Sequence, residues 1–204
     1  MDEELLSRIL FLAIYAAFGA IRLAYRIPAA RREGGEKHEL PRAAALTITV
    51  GILAYLACII LYLLYLPWIL WFQLSSITWI RWLGMPIAIL CIPALYWTHH
   101  TLGKQYSANL EIQSDHKIIT DGPYSRIRHP MYAVFIVFSV AMALLTLNLL
   151  IIFFSILISI SFPSIVKQEE LMLIDTFGDD YRAYVKRTGR FLPKFRNDSE
   201  ETAG

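Results

Sequence analysis

Charge is scarce in this 204-residue chain: Asp, Glu, Lys and Arg make up 18% of it, against roughly 25% in an ordinary soluble domain. The shortage is uneven. Ala43 to Ile80 contains no Asp, Glu, Lys or Arg, and neither does Pro130 to Val166. Stretches of that kind argue against a water-soluble monomer. Cysteine is almost missing as well: Cys58 and Cys91 both sit inside apolar runs, which argues against a disulfide framework or a cysteine-built zinc site. The net charge of +2 is too small to suggest a nucleic-acid partner. The chain has no internal repeat and no low-complexity tract. Its length leaves room for one compact unit and no second large module.

What fills the charge-free stretches is hydrophobic, at 56% of all residues. A bilayer core about 30 Å thick needs ~20 apolar helical residues to cross it, so each charge-free run is long enough for nearly two crossings. Five spans are expected. The first runs from about Leu5 to Ile27, with Arg8, Arg22 and Arg26 near its ends, where long stems snorkel to headgroups. The second covers Ala43 to Leu66 and ends at Pro67. Trp68, Trp71, Trp79 and Trp82 then supply the ring belt of an interface. A third follows from Trp82 to Trp97. The last apolar run breaks near Thr146 to Asn148, giving a helical hairpin of Pro130 to Leu145 and Leu149 to Val166.

Sixteen of the nineteen basic residues fall between Arg26 and Arg42, between Lys104 and Arg128, or from Lys167 onward. The opposite-side loops keep only Arg8 and Arg81. That asymmetry makes the basic side cytoplasmic, with the N-terminus outside and the C-terminus inside. The acidic start Met1-Asp2-Glu3-Glu4 does not read as a secretory signal. The implied membrane is the plasma membrane in a prokaryote and the endoplasmic reticulum in a eukaryote.

Two long polar segments face the basic side. The first, Thr98 to His129, holds a turn at Asp121-Gly122-Pro123, where glycine tolerates positive φ and proline fixes the next φ. The second, Lys167 to Pro193, carries Glu170, Ile174, Phe177, Tyr181 and Tyr184 at helical spacing. It is expected to form an amphipathic helix, kinked near Gly178. The fold class is thus all-α, a polytopic membrane bundle of about five transmembrane helices with an amphipathic cytoplasmic C-terminal helix. Residues 1–97 hold the first three helices, 98–196 the functional core, and 197–204 a polar, dispensable tail.

Within that core, Arg128-His129-Pro130 with Tyr132 is followed by Glu169-Glu170-Leu171, Phe177-Gly178, Tyr181, Tyr184 and Thr188-Gly189-Arg190-Phe191-Leu192-Pro193. Leu102-Gly103, Tyr106-Ser107-Ala108 and the stretch Glu111 to Tyr124 precede them. This ordered set, over about Thr98 to Pro193, resembles the isoprenylcysteine carboxyl methyltransferase family, and related phospholipid methyltransferases share much of it. The resemblance implies an integral membrane enzyme that takes S-adenosylmethionine from the cytosol, methylates a lipophilic acceptor such as a prenylated cysteine or a lipid, and releases S-adenosylhomocysteine. It implies no Rossmann domain. Carried over position by position, it implies cofactor contacts at His116, Lys117, Ile118, Ile119, Tyr124, His129, Pro130, Met131, Tyr132 and Glu170, with Glu111 added. Comparable enzymes carry an arginine about five residues before the second glutamate of the pair. Here that place is Ile165, with Lys167 two residues on.

The residue types suit the chemistry. Ile118, Ile119 and Tyr124 suit an adenine face; Glu111 or Glu170 can accept from ribose hydroxyls or an ammonium; backbone amides around His129 to Tyr132 can bind a carboxylate. Methyl transfer is an in-line displacement that neutralises charge, so it needs mainly alignment and exclusion of water. A carboxylate acceptor needs no base, only a cation to orient it. Arg128 is the candidate catalytic residue for that role, because a guanidinium grips a carboxylate in bidentate fashion.

Plainer roles fit the same residues. Arg126 and Arg128 serve equally as positive-inside anchors, and Glu169-Glu170 as a solvated helix start. Tyr181 and Tyr184 read as packing residues. His99-His100 points apart on a helix and has no clustered carboxylates or cysteines beside it, so interface packing is expected there and no metal. An amine acceptor, as in phospholipid N-methylation, would need His129 or a glutamate as base; a small thiol is a further alternative. A membrane scaffold would give no reason for two such polar segments. A transporter would place ionisable groups at mid-membrane.

Overall fold

The computed structural model describes residues 3–32, 36–37, 42–74, 78–107, 111–112 and 117–194. His116, Ala108, the side chain of Glu111 and the tail 197–204 lie outside them. The chain is an all-α membrane bundle. Its helices are α1 (Glu3–Arg31), α2 (Arg42–Leu63), a short α3 (Pro67–Leu70), α4 (Arg81–Leu102), α5 (Pro130–Thr146), α6 (Leu149–Phe177) and α7 (Asp179–Arg187). Helices α1, α2, α4 and α6 are long and apolar enough to cross a membrane, and α5 adds a shorter apolar helix. A two-residue antiparallel ladder pairs Glu36–Lys37 with Glu111–Ile112, tying the loop after α1 to the loop after α4.

The turn between α5 and α6 has local causes. Leu147 adopts a left-handed conformation (φ 48°) that stops α5, and Asn148 caps α6 by accepting from the amides of Leu150 and Ile151 at 3.1 and 3.4 Å. Asn148 also donates to the Ile69 carbonyl at 2.7 Å, pinning α3 beneath the α5–α6 turn. Leu74 N–H donates to Leu147 O, and Leu149 N–H to Phe72 O, each at 2.9 Å. These bonds close what we call the hairpin end. Trp68, Trp71 and Trp79 are exposed there, as rings of an interfacial belt should be.

Helix α4 packs along α5 and α1, α2 packs along α6, and α5 and α6 form the expected hairpin. The core between them is aromatic and aliphatic: Phe11, Phe18, Tyr55, Tyr62, Leu95, Phe138, Met142, Leu145 and Ile151. Phe18 and Phe138 stack face to face with centroids 3.7 Å apart. In lipid the tails are as apolar as these side chains, so close packing and dispersion hold the helices together rather than the hydrophobic effect. The outward residues, such as Leu46, Leu53, Ile60, Leu90 and Ile160, are correspondingly apolar and exposed.

One expectation is corrected. The helix predicted from Lys167 is not separate: α6 runs unbroken from Leu149 to Phe177. Apolar and polar turns are compatible with one continuous ladder of backbone bonds, and nothing in Val166-Lys167-Gln168 can interrupt it. The break falls at Gly178, whose φ of 54° favours glycine. A helix of this length extends about 43 Å, longer than a hydrocarbon core of about 30 Å, and its charge-free turns end at Val166, ahead of the glutamate pair.

Candidate functional site

At the end opposite the hairpin, the segment Arg126–His129 leads into α5. His129 precedes the helix, and Pro130 occupies its first turn, where the missing N–H costs no hydrogen bond. This segment is paired with the chain after α7: Arg128 N–H donates to Gly189 O at 2.8 Å, His129 N–H to Arg190 O at 3.0 Å, and Gly189 N–H to Arg126 O at 3.0 Å. Gly189 is required by space rather than by φ, since a Cβ there would lie 1.8 Å from the Leu192 carbonyl oxygen. The Arg-His-Pro and Thr-Gly-Arg motifs are therefore two halves of one backbone clasp.

Glu170 is the hub of that clasp. Its Oε1 lies 2.8 Å from Arg128 Nε and 3.3 Å from His129 Nε2, and its Oε2 accepts from Arg190 Nη2. Arg128 Nη1 donates further to the carbonyls of Val185, at 3.2 Å, and Thr188. These bonds fasten α5, α6 and the chain after α7 around one carboxylate.

Beside the clasp opens a cavity of about 840 Å³. Its polar end is formed by Lys117, Tyr124, Arg128, His129, Tyr132, Glu169, Tyr181 and Tyr184. From there it continues as an apolar trough past Phe135 and Phe138 of α5, Ile158 and Phe162 of α6, Phe18 of α1, and Ile52 and Leu56 of α2. Ile52 and Leu56 are 41% and 39% exposed, so the trough reaches the lipid-facing surface along α2. A volume of this size is in the upper range of ligand pockets.

The polar end holds groups with unmet bonding capacity. The Tyr124 hydroxyl and Glu169 Oε2 are buried and accept or donate no hydrogen bond among the described residues, and His129 meets the glutamate pair only through ion-pair contacts, 3.3 Å to Glu170 and 3.8 Å to Glu169. Burial pushes the Tyr124 phenol well above its ordinary pKa, helped by the nearby Glu169. The Tyr181 phenol is raised by burial and then by the glutamate pair. Tyr184 is pushed up to about 12 by burial, against the pull of Arg128 and Arg187. All three phenols thus stay neutral donors near pH 7. Tyr184 already donates to the Tyr124 carbonyl at 2.6 Å.

With this geometry in place, comparison with known proteins shows what the chain is similar to. Residues 82–175 match the isoprenylcysteine carboxyl methyltransferase (ICMT) family. The match covers just under half of the chain. A protein-S-isoprenylcysteine O-methyltransferase of Schizosaccharomyces pombe is 32% identical over 80 residues, covering 39% of this chain and 34% of that protein. The nickel-cobalt-cadmium resistance protein NccN of Alcaligenes xylosoxydans xylosoxydans is 27% identical over 117 residues, covering 55% of this chain and 54% of NccN. The chain thus spans about a third to a half of the length of these curated relatives. The solved structure of the eukaryotic intramembrane Ras methyltransferase ICMT, without a monobody, aligns with a TM-score of 0.56 at 22% identity, covering 76% of this chain and 54% of that one. The membrane fold is shared with it.

The matched region ends before α7, so Tyr181, Tyr184 and the Thr188–Arg190 strap join the site from outside it. Of the residues expected from sequence, Lys117, Ile118, Ile119, Tyr124, Arg128, His129, Met131 and Tyr132 line the cavity together. Pro130 and Glu170 do not line it. Pro130 is buried at the helix start, and Glu170 stands behind the wall as the hub described above. Its neighbour Glu169 faces in instead. Glu111 contributes a backbone pairing to the ladder with Lys37. Arg128 lines the cavity with its Nε and Nη1 committed to protein acceptors. Sequence reasoning missed the contributions of α1 and α2, above all Arg22. Its signal was present: an arginine inside an apolar span is a functional candidate by default.

Proposed function

We propose that the protein is a membrane-embedded methyltransferase that uses S-adenosylmethionine and O-methylates the carboxylate of a lipophilic, isoprenylcysteine-type acceptor. One observation carries this reading: a single cavity joins a polar end, lined by tyrosine, histidine and glutamate side chains, to an apolar trough that meets lipid. A water-borne donor and a lipid-borne acceptor need such a junction. The curated ICMT relatives support the reaction class.

The residues present fit the cofactor. Glu169 Oε2 offers a buried, open acceptor for ribose hydroxyls or an ammonium, the Tyr124 hydroxyl offers a donor, and Ile118 and Ile119 give an apolar flank for a purine. When bound, S-adenosylmethionine supplies an electrophilic methyl on a sulfonium. This chain's side chains do the rest by placement. The Glu170 hub keeps Arg128 and the His129–Tyr132 backbone fixed, the tyrosines exclude water without ionising, and the trough aligns a greasy tail. Proximity and orientation of this sort supply several kcal/mol of barrier reduction, up to about 7–11 in the best cases. The basic residues gathered at this end support its placement in the cytosol.

Purified protein in proteoliposomes, given methyl-labelled S-adenosylmethionine and an N-acylated S-prenylcysteine, is expected to yield a base-labile labelled ester. Given instead a phospholipid amine or a small thiol, base-stable label would point to N- or S-methylation, and no transfer to any of the three acceptors would end the reading. Replacing Glu169 by Gln preserves shape and removes charge. Cofactor affinity by calorimetry should fall about 10–100-fold, the value of a charge-assisted hydrogen bond, with the melting temperature unchanged.

A further inference from the structure

Arg22 is a cation inside the bundle. It belongs to the second half of α1, a helix long and apolar enough to span the membrane, and it lines the same cavity as Tyr132 and Glu169. Its guanidinium carbon sits over the Phe135 ring, 4.4 Å from the centroid. Among the described residues no carboxylate lies within ion-pair distance of it and no hydrogen bond satisfies it. Tyr15, Tyr106 and Tyr132 line the cavity with it, whereas Arg26, the neighbouring cation one turn on, is exposed and does not line the cavity.

An arginine that faces the bundle interior from an apolar span is a functional candidate. The three other basic groups near the cavity differ. Arg128 is committed to Glu170 and two carbonyls. Lys117 is exposed at the mouth. His129 lies between the two glutamates. The α6 wall opposite is apolar at Ile165 and Phe162. An anion entering from lipid, its tail in the trough, meets Arg22 as the first unpaired cation.

We propose that Arg22 holds the carboxylate of the methyl acceptor at the junction of trough and polar end, and so sets specificity for anionic acceptors. This rests on the methyltransferase reading above. A guanidinium fork on a carboxylate still leaves an oxygen lone pair for attack. The new O–CH3 bond forms as the S–CH3 bond breaks, its electron pair returns to sulfur, and no proton moves because the acceptor arrives deprotonated. The product ester is neutral and loses its hold on Arg22. Methylation itself therefore weakens binding and releases product into the bilayer.

The test measures binding of a fluorescent N-acyl-S-prenylcysteine and of its methyl ester to the full chain in nanodiscs, for wild type, Arg22→Gln and Arg22→Lys. Wild type should prefer the carboxylate at least tenfold. Arg22→Gln should abolish the preference, with S-adenosylmethionine affinity within twofold of wild type as the check on folding, and Arg22→Lys should restore part of it. Equal binding of acid and ester by wild type, or a preference that survives Arg22→Gln, would overturn the assignment. Labelled methyl transfer by wild type in the same nanodiscs reports separately on the proposed reaction.

Discussion

Each end of the bundle buries an arginine network, and the two are built for different ends. At the hairpin end Arg81 is fully buried and lies 2.9 Å from Glu4 and 3.3 Å from the Ser7 hydroxyl, while Arg8 stacks over Tyr65 at 3.5 Å. At the site end Arg128, Arg190 and His129 converge on Glu170. Both networks leave buried polar atoms without hydrogen bonds: Arg8, Tyr62 and Arg81 at one end, Tyr124, His129 and Glu169 at the other. Only the second set lines the cavity. An orphaned polar atom is therefore weak evidence of a site by itself. Combined with open volume and a connection to lipid, it becomes specific.

Removing the hub acids separates the two ends most sharply. Glu170→Ala leaves buried cationic groups facing one another without a carboxylate. Breaking a buried pair from one side costs about 3–5 kcal/mol, and the lower value is expected because Arg190 is 42% exposed. Thermal unfolding in detergent should record that loss, and cofactor binding should vanish with the clasp. Glu4→Gln at the hairpin end strands the fully buried Arg81, but Glu4 is itself 30% exposed, so about 2 kcal/mol is expected, with cofactor affinity intact. If Glu4→Gln abolished binding, the two ends would be one coupled unit and the contrast would fail.

The next effect belongs to the strap alone. Gly189→Ala inserts a methyl where the Leu192 carbonyl already stands, and overpacking of that kind costs typically 1–3 kcal/mol. The displaced strap carries the carbonyls that hold Arg128 and His129 amides. Methyl transfer should drop by more than tenfold while helicity by circular dichroism is kept. Equal loss of activity and helicity would mean the strap supports the whole bundle rather than the site.

The spans, the hairpin break and the basic end were legible because bilayer thickness and charge placement constrain them without reference to tertiary contacts. The ordered motifs from Arg128 to Pro193 pointed to the polar end for the same reason that they are close in space: the strap and the Arg-His-Pro segment are hydrogen-bonded to one another. What was not legible depended on rotation and on distant elements. Glu169 and Glu170 are adjacent in sequence, yet about 100° apart around a helix, and their facing is set by how α6 packs. The part of the cavity owed to α1 and α2 depends on which helices meet across the bundle, and periodicity does not encode that. Arg22 looked like a snorkelling end residue until the fold brought it against Phe135.

The smallest effect tests whether the tyrosines are donors or acid-base groups. Tyr184→Phe removes a 2.6 Å bond to the Tyr124 carbonyl, and the loss of one neutral hydrogen bond is worth about 1 kcal/mol. Because the folded-state pKa of Tyr184 is raised to about 12, above its unfolded value near 10, its contribution is fully present below about pH 10 and is lost as pH rises from there through about 12. Rates of wild type and Tyr184→Phe between pH 6 and 9 should therefore run parallel, offset by a constant factor. A limb present in one profile and missing in the other would assign the phenol to proton transfer, and would make this end of the bundle acid-base machinery rather than a frame.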